Sequence, residues 1–490
     1  MSLNFRAILK IIGILTLIEG ICMVPALIAS LHFEEWSSGT ALLETSIICV
    51  CIGFTILTQL KFDKIKLHHR ESYLIACLSW IYVSIIGAIP LYFCGAEFPF
   101  SACLFESVAG FTTTGCSVLN ADLIPKSMLL WRATCHWVGG MGILVLLIAV
   151  FPLWGINNQA IAVAETPGLH NDKINARYAD TGKFLYISYT LMSLAEFILL
   201  TIGPMDWFNA LLTTFSSIST AGLIVTTETS WLFSLTSVRF IVLVFTILSS
   251  MNFIVYIMII DGRWREAIKN MEVRWFITII ALSSVLVSLS LRLTGTYTSL
   301  WQAFKDSVCQ VVSFISTSGF YVCDFTNWPS ITITILFMLL FIGGCTYSTS
   351  GSLKVIRIVI LYKMIKRGLL KQIHPRIVKA IMLDDKPLSA KSASAVAMHI
   401  MLYIGILAFG CILLSLNNLS METTLTTALG MFTNTGVALN GPGNFGFFGM
   451  FNGFSQIVMA FLMIAGRLEM YAIIILFAKS FWKPHQANVI

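Results

Sequence analysis

The sequence predicts an all-α polytopic membrane protein: two leading spans, then four pseudo-symmetric repeats of span, short helix, glycine-ended loop and span. Three observations carry this. The 490-residue chain is 57% hydrophobic and only 11% charged, against about 25% charge in a soluble domain. Apolar runs at 8–31, 72–94, 183–203, 236–260 and 454–478 reach the roughly 20 residues that a helix needs to cross a bilayer. Four short segments end alike: F-T-T-T-G at 111–115, I-S-T-A-G at 218–222, I-S-T-S-G at 315–319 and F-T-N-T-G at 432–436.

The run at 8–31 is long and has no small-residue cleavage site, so it reads as a retained span and not a signal peptide. A second span follows at about 41–60, and residues 1–69 hold this leading pair. The repeats then run at 70–155, 180–262, 272–366 and 392–480. Their short amphipathic helices fall at about 99–111, 206–218, 299–314 and 420–432. At roughly 12–16 residues they are too short to cross. Re-entrant backbone at membrane depth is tolerated only where it is buried in protein or lines a water-filled cavity. Four such segments therefore imply one shared cavity.

Lys and Arg set the topology. With a cytoplasmic N-terminus, the inside segments 1–10, 61–71, 155–183, 261–274, 354–391 and 479–490 hold 25 of the 31 Lys and Arg. Glu34, Glu35, Glu97, Asp122, Asp206, Glu228, Asp306, Asp324 and Glu422 fall on the other side. Both termini are then cytoplasmic, and all four glycine loops face outward. The basic cytoplasmic stretch 367–391, with Arg367, Lys371, Arg376, Lys379, Lys386 and Lys391 beside Asp384 and Asp385, has two readings. It anchors the chain to membrane lipid headgroups, or it docks a cytosolic regulatory subunit.

Several classes are disfavoured. The twelve cysteines show no C-x-x-C pair, so neither a disulfide framework nor a zinc site is expected. No Walker-type G-x-x-x-x-G-K-[ST] occurs, and no organic cofactor is expected in this chain. Without H-E-x-x-H or paired intramembrane Asp residues, an intramembrane hydrolase is not expected, and the protein is not read as an enzyme. The net charge of +7 follows from topology and calls for no nucleic-acid partner.

The four loops carry the chemistry. Dehydrating K⁺ requires oxygen dipoles in place of its water shell, and rings of backbone carbonyls supply them. Glycine permits the backbone angles that aim successive carbonyls at an axis. The candidate ion-binding residues are Thr112, Thr113, Thr114 and Gly115; Ser219, Thr220, Ala221 and Gly222; Ser316, Thr317, Ser318 and Gly319; and Thr433, Asn434, Thr435 and Gly436. None is charged, and each preceding helix aims the negative end of its dipole at the cavity. The expected architecture is thus four repeats around one central ion pore, with a selectivity filter that binds the cation it passes.

Gly343, Gly344, Thr346, Tyr347, Ser348, Thr349, Ser350 and Gly351 interrupt an otherwise apolar helix. A polar break at membrane depth lines the cavity and is a candidate gate; the alternative is a packed helix kink. Arg467 lies in the last apolar run. An intramembrane charge faces the interior or a polar cavity, as an electrostatic barrier below the filter or as a salt bridge to Glu19, Glu196 or Glu106. His136, near the outer end of its helix, reads as a packed histidine before a proton relay. Glu106, in the first short helix, is placed to hydrogen-bond the filter backbone from behind.

The chain resembles the Trk/Ktr/HKT superfamily of potassium transporters, and most closely the bacterial Trk-type uptake subunit. Beyond the loops, the resemblance rests on H-W-V-G-G-M-G-I (His136 to Ile143), F-P-L-W-G (Phe151 to Gly155) and A-E-T-P-G (Ala164 to Gly168). It continues in G-G-C-T-Y-S-T-S-G-S-L-K-V-I-R (Gly343 to Arg357), G-P-G (Gly441 to Gly443) and G-R-L-E (Gly466 to Glu469). The two leading spans favour the Trk branch. The resemblance implies K⁺ uptake across the bacterial inner membrane through a channel-like pore, in a homodimer with one pore per protomer. It also implies a cytosolic RCK-type nucleotide-binding subunit, an intramembrane loop that obstructs the pore, and an arginine at 467 pointing toward it. Gly115, where some plant relatives that carry Na⁺ have Ser, favours K⁺; Rb⁺ should pass too. Two features depart from the family pattern: the second loop ends A-G-L where G-G-F is commoner, and the third-repeat break carries bulky Tyr347. The alternative to a gated pore is a K⁺ symporter coupled to H⁺ or Na⁺.

Overall fold

The computed structural model describes the chain except residues 1–2, 61–68, 143–177, 223–231, 233–234, 321–322, 324, 326, 378–379, 385, 440–446 and 483–490. The motifs F-P-L-W-G, A-E-T-P-G and G-P-G lie outside the described residues. The protein is a polytopic helical membrane protein. Among the described residues, six helices are long and apolar enough to cross a bilayer, or up to eight if two sharply bent pairs each count as one span.

The leading pair is Phe5–Cys22 continued by Val24–His32, packed against Trp36–Gln59. Small residues set that packing. A Cβ added at Gly53 would stand 2.8 Å from the Gly13 carbonyl oxygen, and one at Gly20 would stand 3.0 Å from that of Ser46. Lipid chains give apolar helices no hydrophobic reason to pair, so close backbone approach through small residues brings them together.

Each repeat then opens on a long helix: His69–Phe93, Tyr178–Ile202, Met271–Leu293 and Ala390–Leu414. The short helices follow at Phe100–Phe111, Trp207–Ile218, Leu300–Ile315 and Met421–Phe432. They lie within one residue of the ranges expected from sequence. Side-chain caps start two of them: Asp206 accepts from the Asn209 N–H and Ser420 from that of Thr423. Each ends at its hydroxyl- and glycine-rich loop.

The second helix corrects the sequence reading in repeats two and four, and bears out the expected interruption in repeat three. The runs 236–260 and 454–478 look like continuous spans, but neither is. Thr236–Ser250 turns through 90° into Phe253–Ile260, and Gly453–Arg467 through 110° into Tyr471–Phe477. In the third repeat Ser330–Leu340 is separated from Val355–Ile373 by the polar segment. In the first, Lys126–Gly140 stops before Gly142 at φ +86°. Hydropathy averages over a window, and so does not register a break of two or three residues. A second difference concerns the basic stretch. The helix Val355–Ile373 runs into 367–391, and a short hairpin pairs Met382–Leu383 with Lys386–Pro387.

Candidate functional site: a ring of four glycine-ended loops

A helix leaves its last carbonyls without intrahelical donors. Here the loops supply them. Thr114 and Gly115 donate their N–H groups to the Ala109 carbonyl at 2.9 and 3.2 Å, Ser318 and Gly319 to that of Ser313, both at 3.1 Å, and Thr435 and Gly436 to that of Gly430 at 2.9 and 3.0 Å. In the second repeat Ala221 donates to Ser216 at 2.9 Å. With these donors turned back on the helices, the loops have carbonyl and hydroxyl oxygens left to offer. That is the chemistry of a cation's shell and not an anion's.

The backbone needed for this wrap is the same four times. The second and fourth residues of each loop are left-handed: Thr113 and Gly115 at φ +56° and +71°, Thr220 and Gly222 at +54° and +86°, Thr317 and Gly319 at +59° and +61°, Asn434 and Gly436 at +57° and +68°. A threonine there is a genuine outlier, and each such residue costs of order 1–3 kcal/mol. Carrying that strain at equivalent positions of three repeats, with Asn in the fourth, marks the loops as a site that the surrounding fold holds in place.

The glycines show how the loops meet. A Cβ added at Gly115 would stand 1.4 Å from the Ala221 carbonyl oxygen; at Gly222, 2.4 Å from that of Ser318; at Gly319, 1.9 Å from that of Thr435; at Gly436, 2.1 Å from that of Thr114. Each glycine presses on the next repeat's loop, and the fourth returns to the first. The sixteen predicted residues therefore form one closed ring, in which only Gly115 and Gly319 are partly exposed.

Hydroxyl pairs stiffen three of the loops: Thr112 with Thr114 at 2.9 Å, Ser316 with Ser318 at 2.9 Å, Thr433 with Thr435 at 2.8 Å. Ala221 has no hydroxyl, and Ser219 instead donates to the Phe215 carbonyl at 2.6 Å. Asn434 ties loops one and four together, its Nδ2 donating to Thr114 Oγ1 at 3.1 Å and to the Met463 carbonyl at 2.9 Å.

Under the ring lie the helix breaks. Gly139 and Gly466 pack against the last carbonyl before a loop; a Cβ would stand 1.8 Å from Phe111 O and 1.9 Å from Phe432 O. The polar segment of the third repeat touches the ring itself. The Gly351 N–H donates to Thr317 Oγ1 at 2.7 Å, and a Cβ there would stand 2.4 Å from Thr433 O. The segment folds on itself through Gly343 N–H to Leu353 O at 2.8 Å, Gly344 N–H to Ser350 Oγ at 3.0 Å, and Ser348 to Ser350 at 2.8 Å. It is strapped to the second-repeat break, where the Cys345 N–H donates to Ser250 O at 2.9 Å, Thr349 Oγ1 to Ser249 O at 3.1 Å, and the Phe253 N–H to the Tyr347 carbonyl at 3.2 Å. Buried Glu272 accepts from both the N–H and the hydroxyl of Thr346 at 2.7 Å.

Arg467 sits at the end of a helix, at the break, and not inside a span. It donates to Thr349 O at 2.8 Å and to Gly139 O and Gly140 O at 2.7 Å each. One guanidinium thus bridges the breaks of repeats one, three and four. Of its expected acidic partners, Glu106 pairs with Arg132 at 3.1 Å and Glu196 accepts from Ser217 at 2.7 Å. Glu469 pairs with Arg357. His136 lies in the half of its helix nearer the break, not at the outer end, buried and 3.2 Å from Ser216 Oγ.

Sequence reasoning missed Arg132, Glu272, Arg357 and Ser249–Asn252. The S-S-M-N interruption at 249–252 was the available signal for the last. The charged residues became legible only once their partners, dozens of residues away, were placed beside them.

The family model described as "TrkH: Cation transport protein" matches residues 38–485. The chain is 30% identical to the Trk system potassium uptake protein TrkH of Halomonas elongata, over 98% of this chain and all of that one. It is also 30% identical to TrkH and to TrkG of Escherichia coli K12, over 98% of this chain and 100% and 99% of theirs. The crystal structure of the potassium transporter TrkH from Vibrio parahaemolyticus superposes with a TM-score of 0.88 at 28% identity, covering 98% of this chain and all of that one. The chain belongs to the TrkH family of cation transport proteins.

Proposed function

We propose that this protein takes up K⁺ through the ring of four loops. The closed circuit of glycine contacts carries the reading: four uncharged loops, most of their N–H groups turned back on the preceding helices, converge so that oxygens meet an ion. The relatives' names, Trk system potassium uptake proteins, support K⁺ as the cargo. The membrane potential supplies the driving force, worth about 2.3 kcal/mol per charge per 100 mV. Rb⁺, close to K⁺ in size, passes as well.

The polar segment 343–351 and Arg467 form the gate in this reading, supported by the segment's contact with Thr317 and Thr433 and by the three carbonyls on Arg467. The protein works in the bacterial inner membrane as a homodimer, both termini cytoplasmic. A cytosolic nucleotide-binding subunit acts through the basic stretch 367–391 to move the helix Val355–Ile373 and the gate above it. Support for the membrane setting comes from the large apolar side chains left exposed along the long helices, such as Ile187, Leu191, Leu282, Leu289 and Met401.

The test is ⁸⁶Rb⁺ uptake into liposomes holding wild type or Gly115→Ser, with K⁺ or Na⁺ competing. K⁺ should compete better than Na⁺ in wild type, and the variant should lose that preference. Unchanged rate and preference in Gly115→Ser would mean that the ion does not pass the loop.

A further inference from the structure

We propose that Arg132 and Glu106 form a buried clamp that makes the first loop of the ring unlike the other three and sets its ion preference. The proposal rests on the ion passing that ring. Arg132, on the second helix of repeat one, donates from Nη2 to the carbonyls of Gly115 at 3.2 Å and Cys116 at 2.5 Å. Its Nε lies 3.1 Å from Glu106 Oε2, on the first short helix. The other oxygen, Glu106 Oε1, accepts from the Ser117 hydroxyl at 2.5 Å and from the N–H groups of Val118 and Leu119 at 2.9 and 3.1 Å. Both side chains are sealed from solvent, at 2% and 0% exposure. The ion pair therefore grips the chain as it leaves the filter, from the filter glycine's own carbonyl through five consecutive residues.

The other repeats lack this charge. Glu106 stands nine residues before Gly115 (115 − 106 = 9). The same offset from Gly222, Gly319 and Gly436 falls on Thr213, Gln310 and Thr427, all buried and all neutral. The chain leaving loop one is also where repeats one and four join, because the Phe448 N–H donates to the Ser117 carbonyl at 2.7 Å. Holding 115–119 rigid thus fixes the last residue of loop one and the seam with repeat four.

Two consequences follow. A guanidinium against the Gly115 carbonyl draws on the electron density that oxygen offers a cation. It also fixes the oxygen's position, so the loop cannot contract around a smaller ion. Na⁺ needs closer oxygens than K⁺, so a clamped loop disfavours it. Arg132 and Glu106 are positioning residues: they act on the ion through the filter backbone.

The experiment is ⁸⁶Rb⁺ uptake into liposomes, with Na⁺ and K⁺ competing, for Arg132→Gln, Arg132→Lys and Glu106→Gln beside wild type, Gly115→Ser and Arg239→Gln. Arg239→Gln breaks a different pair, Arg239–Asp306 at 3.3 Å, outside the ring. Loss of one charge-assisted contact should shift K⁺-over-Na⁺ preference about tenfold toward Na⁺ in Arg132→Gln and Glu106→Gln. Arg132→Lys should retain part of the preference, and Arg239→Gln all of it. A purely structural pair would lower the amount of active protein and leave preference unchanged. The proposal is overturned if Arg132→Gln, purified as a monodisperse protein, keeps the wild-type preference. Should that variant fail to fold, the near-isosteric Glu106→Gln decides on the same criterion. If Gly115→Ser also leaves preference unchanged, the pore reading itself has failed, and not the clamp alone.

Discussion

Replacing Arg467 with alanine removes one side chain that ties three helix breaks together. Its guanidinium makes three hydrogen bonds of 2.7–2.8 Å to backbone carbonyls, one on the polar segment of repeat three and two on the end of the repeat-one helix. Hydrogen bonds to charged groups are worth about 1.5–3 kcal/mol each. Bonds sharing one donor group are not additive, so the docked arrangement loses about 3 kcal/mol and not the full sum. At about 1.4 kcal/mol per factor of ten, the balance between docked and released segment moves roughly 100-fold toward release. Arg467→Ala liposomes, without any other protein, should therefore take up ⁸⁶Rb⁺ far faster than wild type. Arg467→Lys, a point charge that cannot fork across several carbonyls, should fall between. The assay is initial uptake rate per reconstituted protomer, with thermal unfolding as a check that the variants are folded. A folded Arg467→Ala that conducts no faster than wild type would refute the reasoning, because the segment would then not be what limits passage.

Other outcomes follow from single contacts. Gly436→Ala places a Cβ 2.1 Å from the Thr114 carbonyl oxygen and should abolish Rb⁺ uptake. Gly262→Ala, also at positive φ but with nothing within 4 Å, should cost about 1 kcal/mol of stability and leave uptake intact; equal uptake defects would sink the ring geometry. Glu272→Gln keeps the shape but weakens the two 2.7 Å bonds to Thr346. It should raise basal uptake modestly, by the few-fold that about 1 kcal/mol allows, while Thr278→Ala on the exposed face of the same helix changes nothing. Gly53→Leu drives a side chain into the Gly13 carbonyl and the Leu17 backbone, both within 2.9 Å of a Cβ. It should lower the thermal midpoint of the purified protein without altering ion preference, since the leading pair lies outside the ring.

The sequence alone announced the repeats. Four hydroxyl- and glycine-rich loops at similar spacing, each after a helix too short to cross, carry a local signal. Glycine at positive φ and hydroxyls next to it are requirements that the chain meets residue by residue. The short helices were legible to within one residue for the same reason: a capping side chain or a turn before, a polar loop after. The breaks at 250–253 and 467–471 were not. Two or three polar residues vanish in an apolar average, and Arg467 read as a charge stranded in a span until the bend placed it at a helix end among carbonyls.

What the sequence determined is thus everything set by neighbours along the chain: the membrane setting, the repeat count, the loop chemistry and the glycines. What only the tertiary structure decided is everything set by neighbours in space. Gly115 meets Ala221, and Gly436 returns to Thr114, closing a ring that no single loop describes. Arg467 reaches Gly139, 328 residues away, and Glu106 finds Arg132 and not Arg467. A buried charge must take the partner that the fold delivers, because leaving it alone at membrane depth costs more than any local preference can repay.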